Sequence, residues 1–122
     1  MPNIHITPNE EQLLLTFTFN TPQQFAYTVT VNDPNDVELY SGNGQFPGGK
    51  TQFPLLKSSQ LLGNTLNIAW TIIDPAGAGN KYGAQATVEQ NGEDCPASQT
   101  IAGNTTSNVK EDFTTGDFVS GN

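Results

Sequence analysis

The feature that most constrains this chain is an alternation of apolar and polar residues with period two, recurring along its length with almost no competing helical pattern. Leu13, Leu15, Phe17 and Phe19 alternate with Leu14, Thr16 and Thr18; Phe25, Tyr27, Val29 and Val31 alternate with Ala26, Thr28 and Thr30. Successive side chains of a strand point to opposite faces, so each run describes a half-buried strand. The two runs follow one another closely and are expected to pair as a hairpin. Asn32-Asp33-Pro34-Asn35 then ends the second run with turn chemistry, because Asp and Asn bond their own backbone and proline presets its φ angle.

A short strand is expected over 37–40, followed by an irregular glycine-rich loop over 41–49. Pro54 interrupts the run 51–56 and suits it to a sheet edge. Leu66, Ile68, Trp70 and Ile72 give a core strand with Trp70 at its centre, and Tyr82, Ala84, Ala86 and Val88 give another that ends at Asn91-Gly92. Weaker strands are expected over 98–101 and within 109–119. The only helical candidate, 58–62, is one turn long.

Seven or eight strands with turn signals about ten residues apart indicate an all-β fold, a single antiparallel β-sandwich. It resembles immunoglobulin-like or C2-like (calcium-lipid-binding) sandwiches in general architecture, a likeness that carries no function. One domain over 1–122 is expected, closing with a Gly/Thr/Asn-rich segment over 103–122. A chain of this size leaves about 6,400 Å² exposed when folded.

Twelve acids face four lysines, with no arginine, for a net charge of −8. Nucleic acid is not an expected partner, because its phosphates need Lys and Arg to neutralise them. Anionic membrane is disfavoured on the same ground. Met1-Pro2-Asn3-Ile4-His5 lacks the basic start and apolar run of a secretory signal, so a cytoplasmic location is expected. Cys95 stands alone and forms no internal disulfide; His5 is the sole histidine, so no Cys/His zinc set can be assembled within one chain. Asp94 beside Cys95 favours the neutral thiol over the nucleophilic thiolate.

The sharpest motif is Gly44-Gln45-Phe46-Pro47-Gly48-Gly49-Lys50-Thr51, which fits the phosphate-loop pattern letter for letter. That pattern cradles phosphate only between a strand and the amino terminus of a helix. Pro54, three residues after Thr51, predicts extended chain instead, so a glycine-rich bend is the reading. Asn104-Thr105-Thr106 matches a glycosylation acceptor, which has no consequence without a secretory signal.

With no complete catalytic set, the chain is expected not to be an enzyme but a binding or assembly module. Protein or carbohydrate is the expected partner, met through loop 42–50 and an apolar edge, with Asn43, Gln45, Phe46 and Lys50 as ligand-binding residues. An exposed aromatic beside amides can stack on a sugar ring or anchor a partner. Surplus apolar residues, among them Leu14, Ile73, Leu56 and Leu62, also suit a homo-oligomer contact. An alternative is a calcium-dependent carbohydrate- or lipid-binding domain, with calcium held by Asp33, Asp36, Glu93 and Asp94 if their turns meet at one end of the sandwich. A small hydrolase acting on nucleotide or glycan is the third reading.

Overall fold

The computed structural model describes residues 3–19, 24–46, 49–73, 81–95, 99–104 and 109–121. Residues 20–23, Pro47, Asp74, Pro96 and Thr105-Thr106 lie outside these. Ten strands and one helical turn form among the described residues: β1 (Asn3–Ile6), β2 (Gln12–Phe19), β3 (Gln24–Asn32), β4 (Glu38–Phe46), β5 (Gly49–Lys57), α1 (Ser58–Leu61), β6 (Thr65–Ile73), β7 (Lys81–Gln90), β8 (Glu93–Asp94), β9 (Gln99–Asn104) and β10 (Val109–Ser120). The first sheet runs β1-β10-β6-β3-β4; the second runs β5-β2-β7, with β8 and β9 both pairing along β7. All pairings are antiparallel except β1 with β10. The all-β sandwich expected from alternation is the fold observed. The exposed area, 6330 Å², also matches the scaling expectation.

Two local expectations are corrected. β2 and β3 do not form a hairpin: β2 pairs with β5 and β7, and β3 with β4 and β6. Their apolar faces instead meet across the core, where the Phe17 and Tyr27 rings stack with centroids 4.1 Å apart. Alternation fixes which face of a strand is buried, but says nothing about whether its neighbour lies beside it or opposite.

The second correction concerns 41–49. β4 continues as regular strand to Phe46, and Gly49 already begins β5. The glycines have a packing reason. A Cβ on Gly42 would stand 2.5 Å from Phe53 Cζ, and one on Gly44 would stand 2.5 Å from the Tyr27 hydroxyl. Aromatic rings from neighbouring strands lie over this bare backbone, a recurrent use of glycine within sheets.

The core comprises Leu13, Leu15 and Phe17 from β2, Phe25, Val29 and Val31 from β3, and Leu66, Ile68, Trp70 and Ile72 from β6, all buried. Trp70 sits at its centre, edge-on to both Phe17 and Phe25. Tyr40 and Phe53 pack against the core from the edge strands β4 and β5. Pro54 lies in edge strand β5, where a missing N–H is tolerated.

β10 departs from the common pattern. It comes from the Gly/Thr/Asn-rich segment, yet occupies an interior place in the first sheet, between β1 and β6. Its inward positions are polar in the first half, and they satisfy the polar tips of core aromatics. Trp70 Nε1 donates to Thr114 Oγ1 at 2.9 Å, and the Tyr82 hydroxyl donates to Asp112 Oδ2 at 3.4 Å.

Candidate functional site

Cross-strand register sets the outer face of the first sheet. Residues directly opposite one another in paired strands share a face. Phe113 pairs with Ala69, Ala69 with Thr28, and Thr28 with Asn43, which makes one row across β10, β6, β3 and β4. The neighbouring row is Glu111, Thr71, Ala26 and Gln45. Inward neighbours such as Ile68, Trp70, Val29 and Tyr27 are buried, so these rows face solvent.

Phe113 is 61% exposed, although a phenylalanine in a strand would ordinarily turn to the core. It faces outward because Thr114 and Asp112 take the inward positions on either side of it, held by Trp70 and Tyr82. Around it lie Ala69, Thr28, Thr71 and amides, with Glu111 two residues away on the same face. Thr28, Asn43 and Gln45 are exposed and make no side-chain hydrogen bond to another described residue. Val109, exposed, pairs with the half-buried Ile73 at one margin of the face.

Among the residues expected to bind ligand, Asn43 and Gln45 therefore fall on this face, presented by an edge strand and not by a loop. Phe46 ends β4 in the first sheet and Lys50 is the second residue of β5 in the second. β5 is extended from Gly49 to Lys57, and the helical turn begins only at Ser58, so no helix stands behind Lys50 to complete a phosphate cradle.

The four acids expected to gather around calcium lie at the end of the sandwich that carries α1, but in two separate pairs. Asp33 and Asp36 occupy the β3–β4 turn. Asp33 Oδ1 accepts the N–H groups of Asn35 and Val37, both at 2.9 Å, and Asp36 accepts from Asn32 Nδ2. Glu93 and Asp94 form β8, at the opposite edge. The β3–β4 turn belongs to the first sheet and β8 to the far end of the second, so the two pairs stand on different sheets at opposite edges. Among the described residues no group of three or more His, Cys, Asp or Glu side chains is placed to hold a metal ion.

A concavity of ≈ 470 Å³ lies at that edge, lined by His5, Glu11, Gln90, Glu93, Asp94 and Cys95 among others. The left-handed φ angles of Asn91 (55°) and Gly92 (75°) give the two-residue hairpin from β7 into β8. The Asn91 N–H donates to the Glu11 carboxylate. Gln90 acts as a clamp: Thr7 N–H donates to its Oε1 at 2.8 Å, and its Nε2 donates to the Thr7 carbonyl at 2.7 Å. His5 is exposed on edge strand β1, while Cys95 is buried. Burial pushes the Cys95 thiol up, and the charges of Asp94 and Glu11 push it further. The cleft thus unites the chain's histidine and cysteine, but keeps the sulfur in its unreactive form.

Sequence reasoning missed Phe113. A signal existed: Phe113 and Phe118 are five residues apart, an odd interval, so one strand cannot turn both to the same face. Phe118 is buried and Phe113 is not. Among the described residues no helix is long and apolar enough to cross a membrane. Comparison of the chain with known protein families, curated proteins and solved structures finds no match.

Proposed function

We propose that this protein is a non-enzymatic binding module whose working surface is the outer face of the first sheet, directed at carbohydrate or protein. The observation that carries the reading is Phe113, an aromatic ring left in solvent beside Ala69, Thr28 and the amides of β4, with Glu111 next to it on the same strand. An exposed ring suits a contact surface, since it offers large area at little entropic cost. Asn43 and Gln45 supply donors and acceptors on the same plane.

The cleft at the β1 edge is a poorer candidate. Its one nucleophile is protonated at neutral pH, and Gln90 and Glu11 are engaged in holding the β7–β8 turn to the segment before β2.

The test compares wild type with the triple variant Phe113→Ala, Asn43→Ala, Gln45→Ala, on a panel of soluble glycans and by sedimentation for self-association. At least one interaction weakens tenfold or more while the unfolding midpoint stays in place. If every interaction of the wild type survives in the triple variant, the face is not the working surface.

A further inference from the structure

We infer that the ligand of this face is a neutral linear oligosaccharide lying across the strands, with one sugar ring stacked on Phe113; this rests on the binding-module reading above. The row from Phe113 through Ala69 and Thr28 to Asn43 spans three strand intervals, roughly 14 Å, which is longer than one sugar ring. Ala69, next to Phe113 in the row, leaves the ring's flank low enough for a flat ligand to settle.

The chemistry along the row matches a sugar chain. The C–H face of a pyranose is apolar and weakly positive, and the π face of Phe113 is weakly negative, so the two attract. A sugar hydroxyl both donates and accepts. The Thr28 hydroxyl and the Asn43 and Gln45 amides do the same, and none of the three is occupied by another described residue.

Charge then narrows the choice. On the outward positions of the four strands the charged groups are Glu111, two residues from Phe113 on the same face, and Asp117 and Glu38 nearer the strand ends, all acidic, with no described cation between them. An anionic ligand is repelled by these acids and by the net charge of −8. A second copy of the chain brings the same acids and the same net charge against itself. A basic peptide would be drawn to these acids, and salt would weaken its binding. A neutral glycan meets no repulsion, and salt leaves its binding unchanged.

The experiment is native electrophoresis of the acidic protein through gels containing mixed-linkage β-glucan, arabinoxylan or galactomannan as neutral probes, and alginate as the anionic one. At least one neutral polymer retards the wild type, equally at low salt and in 0.5 M NaCl, while alginate does not. Phe113→Ala weakens the retardation about five- to tenfold, the range expected for one aromatic stack. Asn43→Ala with Gln45→Ala weakens it by a smaller factor. Absence of retardation in every neutral gel, or equal retardation of wild type and Phe113→Ala, overturns the inference. If sedimentation velocity instead reveals a dimer that Phe113→Ala dissolves, the glycan inference falls and the binding module stands. If neither response depends on Phe113, both fall.

Discussion

The outer faces of the two sheets are built from similar residues and end in opposite states. On the second sheet, Thr16 of β2 lies opposite Gln52 of β5 and Thr87 of β7. Both threonines are buried although they face away from the core. Longer side chains close over them: Gln85 Nε2 donates to Thr87 Oγ1 at 3.1 Å, and Gln52 Nε2 reaches Glu89 Oε2 at 3.4 Å. On the first sheet, Thr28 stays exposed, its flanking amides Asn43 and Gln45 bond no described side chain, and Phe113 stands clear. An outward face with threonines and amides therefore need not be open. Both faces draw amides from an edge strand, Gln52 from β5 and Asn43 and Gln45 from β4, but only Gln52 finds a described side-chain partner across its sheet, Glu89.

The comparison presumes one shared core beneath both faces. Trp70→Ala should remove about 3–5 kcal/mol, as deletion of a buried large aromatic does, with urea unfolding as the measure. A loss below about 1 kcal/mol would mean the two sheets are not packed through Trp70.

The glycine explanation is tested by Gly44→Ala, whose new methyl must displace the Tyr27 ring. A loss of about 1–3 kcal/mol is expected, the usual penalty of overpacking. A neutral result would return residues 41–46 to the status of a permissive loop.

The closed face makes its own prediction. Thr16 Oγ1 is buried with no hydrogen-bond partner, so Thr16→Val should raise stability by roughly 1 kcal/mol, since an unsatisfied hydroxyl is removed at nearly constant shape. Destabilisation would show that the hydroxyl has a partner and that this face is satisfied differently. Phe113→Ala, by contrast, should shift stability by less than about 0.5 kcal/mol, because the ring is largely in solvent.

The smallest expected effect is on pH. Burial raises the Tyr27 phenol; burial and then Asp112 raise Tyr82; burial, Asp94 and Glu11 raise the Cys95 thiol. Each holds its proton more tightly folded than unfolded, so its contribution is complete below the unfolded value, about 8.5 for a thiol and about 10 for a phenol. It is lost as pH rises through the folded value. The melting temperature should stay level to about pH 8 and fall above about pH 9, and Tyr82→Phe should soften the fall. None of these groups lies on the open face, so contacts made there should not follow the same curve.

Much of this architecture was legible in the sequence: alternation marks the buried faces of β2, β3, β6 and β7 and the place of Trp70, and the missing N–H of Pro54 marks an edge strand. Pairing was not legible, because a period-two pattern reports orientation and not neighbours, and β2 and β3 stack where a hairpin was the simplest reading. Glycine content misled at 42–44 because backbone freedom and space for a ring leave the same letters in a sequence. At the site, Asn43 and Gln45 were found as amides beside an aromatic, but the aromatic in view is Phe113, more than sixty positions away. Only strand register joins them. The acids failed to gather because turns at one end of a sandwich can still lie at opposite edges.

The most direct test of the open face is amide chemical-shift mapping of the labelled protein as a soluble neutral oligosaccharide, such as a mixed-linkage glucan fragment, is added. The account predicts shifts that follow Phe113, Ala69, Thr28 and Asn43 across the sheet, with His5, Gln90 and Cys95 unmoved. Shifts confined to the cleft around His5 and Cys95, or to the closed face around Thr16 and Thr87, would contradict it.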